Sequence, residues 1–210
     1  MKPSFVVCVI DYIIGNAPCQ YIKRKKEMIE LYEGCPVNTS GRAKKETAVY
    51  DLLDSLGIKY KRADHEAAYT MEACAEIDRL LAPAVICKNL FLCNSQKTRF
   101  YLLMIREDKK FRTKEVSAQI GSPRLSFAPE EYMKEKLDIT PGSVSVMGLM
   151  NDTENCVQLL IDEDILASEL VGCHPCVNTS SLSFRVRDLI DVFLPAVGHS
   201  YITVRLSEEA

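Results

Sequence analysis

Lys88 stands at a position where a charged side chain is unusual. Residues 84–93 are apolar, rich in β-branched side chains and followed by a polar turn, which predicts a buried strand. Because side chains alternate along a strand, Lys88 shares one face with Ile86 and Leu90. Two interpretations fit this placement: a strand-end lysine whose stem covers apolar surface, or an ammonium in a pocket that binds an anionic or carbonyl oxygen.

Cys173 and Cys176 form a Cys-x-x-Cys motif, a spacing that occurs in redox pairs and in half zinc sites. The other cysteines are scattered and supply no second pair at a usable spacing. A redox pair usually begins a helix, whereas residues 181–186, which follow this motif, alternate like a strand. We therefore expect two small apolar thiols beside a loop, with no metal site and no cofactor.

Histidines are the remaining candidates for acid–base chemistry. His174 lies two residues after Gly172, and a glycine there would let a backbone N–H approach a ligand closely. His65 and His199 lie at junctions between helices and strands, where each could simply hold a turn. The sequence contains no serine elbow, phosphate-binding loop or dinucleotide-binding fingerprint.

The bulk composition favours one compact cytoplasmic domain. Of the 210 residues, 47% are hydrophobic. The net charge of −3 argues against a broad basic surface that would bind duplex nucleic acid. It does not argue against binding of the end of a nucleic acid. Nine scattered cysteines are typical of reduced thiols. The apolar run at 5–10 is interrupted by Asp11 and is too short to span a bilayer, so we expect no membrane association.

Periodicity predicts many short strands with helices at irregular intervals. The predicted helices are 27–32, 45–56, 70–81, 113–120, 129–137, 187–196 and a short acidic helix capped by Asp162. The predicted strands are 58–62, 84–93, 99–106, 125–127, 156–161, 181–186 and 201–206, and 171–179 is predicted to be an irregular loop. One β-hairpin and the lack of a strict βαβ repeat favour a mixed α/β fold, a curved sheet with helices outside.

Residues 1–44 do not share this regularity. We interpret them as an N-terminal extension, separate from a functional domain at 45–207. Their basic run, 23–26, could contact phosphate or could be a solvated charged face.

Seven short motifs follow one another in a consistent order. They are Asp64-His65-Glu66 with Thr70, Lys88-Asn89-Leu90-Phe91-Leu92, Arg124-Leu125-Ser126-Phe127-Ala128, Pro141-Gly142-Ser143-Val144, Gly148-Leu149-Met150-Asn151-Asp152, His174-Pro175 with Asn178-Thr179, and Gly198-His199. Together, over about residues 45–206, they resemble the prolyl-tRNA editing (YbaK/ProX) family. The resemblance is to freestanding proteins similar to the editing insertion of bacterial prolyl-tRNA synthetase.

This resemblance implies a fold and an activity. The implied fold is a barrel-like mixed β-sheet surrounded by helices. The implied activity is hydrolysis, in trans, of the ester that links a wrong amino acid to tRNA(Pro), with alanyl-tRNA(Pro) as the expected substrate and no metal or cofactor. The expected partners are the acceptor end of an aminoacyl-tRNA and prolyl-tRNA synthetase.

The resemblance also implies site residues. Lys88 and His174 are expected to be catalytic. The expected substrate-binding residues are Asn89, Ser145, Met147, Gly172, Pro175 and Asn178. The sequence departs from the family where Ser145-Val146-Met147 replaces the usual Thr-Pro-Phe, a change that bears on the amino-acid pocket.

In the implied reaction a positioned water attacks an already activated ester. Lys88 would hold the terminal adenosine or its phosphate, or polarise the ester carbonyl, and backbone N–H groups near Gly172 would stabilise the oxyanion. Two other functions stay open at this point. One is a non-catalytic module that binds tRNA or an amino acid, and the other is a redox or zinc protein that uses Cys173 and Cys176.

Overall fold

The computed structural model describes residues 29–67 and 71–207, which form a mixed sheet with helices on both faces. The helices are α1 (Lys44–Ser55), α2 (Met71–Leu81), α3 (Thr113–Gln119), α4 (Glu130–Leu137), α5 (Glu163–Leu166), a 3₁₀-helix at Val146–Asn151, and α6, which runs through Val186–Asp188, a π-helical Leu189–Phe193 and Leu194–Ala196. The strands are β1 (Leu31–Glu33), β2 (Tyr60–Asp64), β3 (Val85–Asn94), β4 (Phe100–Arg106), β5 (Leu125–Phe127), β6 (Val157–Asp162), β7 (Leu170–Cys173), β8 (Ser180–Arg185) and β9 (Tyr201–Val204). Within these two ranges, no helix has the length and apolar character needed to cross a lipid bilayer.

β3 joins the two halves of the sheet. The strand order is β1-β2-β8-β7-β3-β4-β6-β9, and β5 pairs with the end of β3. On one edge, β4 pairs antiparallel with residues 87–93. On the other edge, β7 pairs parallel with Val85 and Ile86, whereas β5 pairs antiparallel with residues 92–94. In the described chain, residues 87–91 of β3 therefore have no strand partner on that second edge.

The two faces of the sheet bury different sets of side chains. One face carries the larger core, which includes Phe91 of β3 and side chains from α1, α4, α6 and the 3₁₀-helix. The other face carries two smaller cores. Leu92 packs with Val116 of α3 in one of them, and Ile86 packs with Ile77 of α2 in the other. α2 and α3 therefore cover neighbouring parts of the face to which Lys88 belongs.

Most predicted elements are confirmed, as is the mixed α/β class with helices around the sheet. β3 and β4 form the predicted hairpin around residues 95–99, and α4 begins directly after Pro129. Gly57 follows the end of α1 with a φ of +70°, a conformation that glycine adopts without strain. The proposed cap of α2, Thr70, lies outside the described residues.

Three predicted features are wrong. The predicted helix at 27–32 gives way to β1, which pairs antiparallel with β2. The predicted loop at 171–179 begins with β7, because ladder bonds to β3 and β8 on both sides outweigh the weak strand propensity of Gly172. Asp162 makes no side-chain cap on α5, because its Oδ1 accepts a hydrogen bond from Lys109 Nζ at 3.0 Å. The domain division at residue 44 stays a prediction.

Gly172→Ala tests the packing of β3 on β7. Gly172 pairs with Ile86, and a Cβ added to the glycine would come within 2.3 Å of Ile86 Cδ1. We expect this substitution to lower the free energy of unfolding by about 1 kcal/mol in a urea titration, because the Ile86 side chain must leave its rotamer to accept the methyl group. In an Ile86→Val background, which lacks Cδ1, the same substitution should cost clearly less. An equal cost in both backgrounds would contradict the packing explanation.

Candidate functional site

Both predicted catalytic residues lie close, along the chain, to the point where the pairing of β7 with β3 ends. Ile86 pairs with Gly172 of the parallel strand β7, and Lys88 and His174 stand two residues farther along each chain segment. Positions in register on neighbouring strands point to the same face. Lys88 therefore belongs to the face that α2 and α3 cover. His174 follows the end of β7, and its Nδ1 lies 3.5 Å from Ser181 Oγ on β8. Ser181 pairs with Ala63, which packs against α2, so His174 lies on the same face.

A backbone carbonyl holds the Lys88 ammonium. Lys88 is half-buried, four residues into β3, and its Nζ donates a hydrogen bond to the carbonyl oxygen of Lys109 at 3.1 Å. An ammonium has three N–H donors, and a carbonyl carries only partial charge. This bond therefore orients the ammonium.

A buried ion pair fixes the residue that supplies this carbonyl. Lys109 Nζ lies 2.9 Å from Asp162 Oδ2 and 2.8 Å from Asp164 Oδ2. The side chains of Lys109 and Asp162 are only 5% and 0% exposed. Burial raises the pKa of Asp162, while the neighbouring ammonium opposes that rise. The pair ties the turn after β4 to the end of β6, and so sets the position of the oxygen that orients Lys88.

His174 has a defined tautomer. Its Nδ1 lies 2.9 Å from the carbonyl oxygen of Ser180. Because a carbonyl only accepts hydrogen bonds, Nδ1 carries the proton, and the neutral ring keeps an Nε2 that can accept one. Burial lowers the pKa of His174 below its ordinary 6.5, and the nearby His65 lowers it further. The ring is therefore neutral at pH 7.

His65 joins the site through Ser181. His65 Nδ1 lies 2.8 Å from the carbonyl oxygen of Glu66, so Nδ1 is the donor and Nε2 accepts from Ser181 Oγ at 3.0 Å. The ring centroids of His65 and His174 are 6.4 Å apart. Sequence analysis left His65 open between acid–base chemistry and the holding of a turn, and it missed Ser181. The one available signal was that Ser181 begins a predicted strand soon after the histidine loop.

Charged side chains also fix the end of β2 beside the site. Arg42 Nη2 lies 2.6 Å from Asp64 Oδ2, and Arg62 Nε lies 3.0 Å from Asp64 Oδ1. Although burial by itself raises it, the two guanidinium groups bring the pKa of Asp64 below its ordinary value. Because Asp64 directly precedes His65, this network fixes the backbone that carries the histidine.

Two predicted substrate-binding residues lie inside the protein. Ser145 is fully buried, and its Oγ donates to the carbonyl oxygen of His174 and accepts from the backbone N–H of Met147. Met147 is itself fully buried in the larger core. Ser145 thus positions the histidine loop and Met147 packs behind it. Contact of either side chain with a substrate stays a prediction.

The four remaining predicted substrate-binding residues differ in burial and in the atoms that they contact. Pro175 is buried directly after His174, and Asn178 is half-buried in the next turn. The close approach at Gly172 is made by Ile86. Asn89 faces away from Lys88, and its buried Oδ1 has no hydrogen-bond partner in the described chain. Their roles in substrate binding stay predictions.

Cys173 and Cys176 are buried free thiols. Burial raises the pKa of Cys173 and of Cys176 to about 12. Both are therefore protonated at pH 7, and a protonated thiol is a poor nucleophile and a poor metal ligand. Among residues 29–67 and 71–207, no three His, Cys, Asp or Glu side chains are grouped so that they could hold a metal ion.

A comparison with known protein families covers both proposed catalytic residues. Residues 65–192 match the aminoacyl-tRNA editing domain. The chain belongs to this family. The part that matches the editing domain contains Lys88, His174 and His65, and it begins after α1 and ends within α6.

Individual relatives agree with this assignment to the editing-domain family. The prolyl-tRNA editing protein ProX of Acetoanaerobium sticklandii is 32% identical over 159 residues, which cover 76% of this chain and 96% of that protein. Prolyl-tRNA synthetase associated domain-containing protein 1 of Danio rerio is 30% identical over 152 residues, which cover 71% of this chain and 81% of that protein. The crystal structure of a candidate trans-editing enzyme for prolyl tRNA synthetase shares the fold, with a TM-score of 0.58 at 17% identity over 80% of this chain and 99% of that chain.

Asp162→Asn tests the ion pair behind Lys88. We expect it to lower the free energy of unfolding by about 3 kcal/mol, the lower end for a broken buried pair, because Asp164 still faces the ammonium. The matched control is Asp164→Asn, whose side chain is 35% exposed and should contribute less than about 1 kcal/mol. Urea unfolding followed by circular dichroism measures both. Equal losses would show that burial does not distinguish the two carboxylates.

Proposed function

We propose that this protein is a trans-editing deacylase that hydrolyses the ester of mischarged tRNA(Pro), with alanyl-tRNA(Pro) as its preferred substrate. The observation that carries the proposal is the placement of Lys88 and His174 on one sheet face, the first as an oriented cation and the second as a neutral proton acceptor. Membership of the aminoacyl-tRNA editing family and similarity to a protein named for prolyl-tRNA editing support it.

The two side chains suit hydrolysis of an activated ester. His174 Nε2 takes a proton from water as the water oxygen attacks the ester carbonyl carbon. The Lys88 ammonium stabilises the carbonyl oxygen as it becomes negative. The intermediate collapses when the bond from the carbonyl carbon to the ribose oxygen breaks, and that oxygen takes the proton from His174. The products are a free amino acid and an uncharged tRNA.

Alanine is the expected amino acid because size can exclude proline. A pocket shaped for a small side chain rejects a bulkier one by steric overlap. A pocket shaped for proline would reject alanine only through missing methylene contacts, which are worth about 1–3 kcal/mol each. A site that must spare prolyl-tRNA(Pro) is therefore better built for the smaller residue.

Lys88→Ala is the first test of this function. We expect kcat/KM for alanyl-tRNA(Pro) to fall by about 10²–10³, because the developing oxyanion loses its cation, while the unfolding midpoint stays near that of the wild type. Lys59→Ala removes an exposed lysine and should leave the rate unchanged. The assay compares alanyl-, cysteinyl-, seryl- and prolyl-tRNA(Pro). Undiminished turnover by the Lys88 variant, or fastest cleavage of the prolyl ester, would overturn the proposal.

The pH dependence of deacylation should report on His174. Burial places the pKa of His174 below 6.5, so Nε2 is available at pH 7 and gains a proton only in more acidic solution. We expect kcat/KM to be level near pH 7 and to fall about tenfold per pH unit on the acid side, with a midpoint below 6.5. His65→Gln should keep this acid limb, because His174 still titrates. Activity that is independent of pH down to pH 4 would exclude His174 as the base.

A further inference from the structure

We infer that Phe111 and Phe127 form a stacking platform for the unpaired 3′ end of tRNA, beside the proposed active site. The inference rests on the proposed function, because it assigns a binding surface to the same substrate. It extends that function to residues with no part in the chemistry.

Phe127 is an aromatic side chain that the fold leaves at the surface. It is 49% exposed at the end of β5, although large apolar side chains are usually buried. Its pairing with Leu92 places it on the same sheet face as Lys88. The half-buried Phe111 packs edge-on against it, with ring centroids 5.9 Å apart. The pair therefore offers an aromatic surface rather than an isolated ring.

The platform adjoins the Lys88 ammonium. Phe111 lies two residues after Lys109, whose carbonyl oxygen accepts the hydrogen bond from Lys88. At the other end, Phe127 pairs with Leu92, four residues from Lys88 along β3, which is about 13 Å at roughly 3.3 Å per residue. The aromatic surface thus extends away from the proposed reaction centre over a distance that suits an extended strand of nucleotides.

The charge of the surrounding segment indicates a nucleic acid as the occupant. Apart from the buried Lys109, residues 106–124 contain five basic and three acidic side chains, a net charge of +2, in a chain whose net charge is −3. Lys110 and Arg112, on either side of Phe111, are both exposed. Aromatic faces combined with basic side chains are how proteins bind single-stranded nucleic acid, since bases stack on the rings and phosphates meet the cations. A protein partner with an apolar surface would not explain the excess of basic side chains in this segment.

A tRNA end fits this surface better than a duplex does. Stacking on a protein ring needs bases that are not already paired, and the nucleotides next to the aminoacyl ester at the 3′ end of tRNA are unpaired. With the ester at Lys88, those nucleotides would extend across Phe111 and Phe127.

Binding of an uncharged acceptor-stem hairpin tests the inference without relying on catalysis. The probes are a tRNA(Pro) hairpin that ends in CCA and the same hairpin without these three nucleotides. We expect Phe127→Ala to weaken binding of the complete hairpin about 5- to 150-fold and to leave binding of the truncated one unchanged. Phe127→Tyr should bind like the wild type, whereas Phe127→Leu, which keeps apolar volume without a π face, should bind like the alanine variant. Ile202→Ala, at a residue that is 40% exposed on β9, is the matched control.

The outcomes separate this inference from the proposed function. Equal binding by wild type, Phe127→Ala and Phe127→Leu, or no measurable binding of the complete hairpin, would overturn the platform, whatever the deacylation assay shows. A Phe127-dependent preference for CCA in a protein that releases no amino acid from any aminoacyl-tRNA would support the platform and overturn the deacylase. With alanyl-tRNA(Pro), the Phe127→Ala variant should raise KM and leave kcat within about twofold, because the ring does not touch the ester.

Discussion

The site depends on how β3 divides one of its edges between two partners. β4 uses the other edge nearly throughout, whereas β7 and β5 take opposite ends of the divided edge and leave residues 87–91 between them. A continuous ladder would have tied β3 to one neighbouring strand along this whole edge. The divided edge instead opens the sheet at Lys88, and the loop that follows β7 brings His174 to the same opening. Strand pairing therefore determines where the proposed active site lies.

Backbone carbonyls orient the polar groups at this opening. Lys88 donates to Lys109, His174 to Ser180 and His65 to Glu66. A carbonyl oxygen fixes the direction of the ammonium and the tautomer of each ring, because it only accepts hydrogen bonds. Two ion pairs, that of Lys109 with Asp162 and that of Arg42 with Asp64, hold the neighbouring segments in place. Hydrogen bonds to carbonyl oxygens thus orient the polar groups, whereas ion pairs hold the segments that carry them.

Local sequence patterns predict most helices and strands, but they do not predict the long-range pairings that form the candidate site. The hairpin of β3 and β4 and the start of α4 after Pro129 follow from neighbouring residues, so the sequence predicts them. The pairing of Ile86 with Gly172 joins residues far apart in the chain, and no short-range pattern encodes it. Asp162 has the right type and position for a cap, but a buried lysine 53 residues away binds it instead. Alternation alone had already placed Asn89 and Lys88 on opposite faces.

The burial of Cys173 has a consequence for the proposed hydrolysis of an activated ester. A thiolate beside an aminoacyl ester would displace the ribose oxygen and leave the amino acid on the protein as a thioester. With its pKa raised to about 12, the Cys173 thiol is ionised in only about one molecule in 10⁵ at pH 7. Cys176 is equally protonated. In the proposed reaction, these two thiols can therefore flank the histidine loop without self-acylation, and water remains the nucleophile.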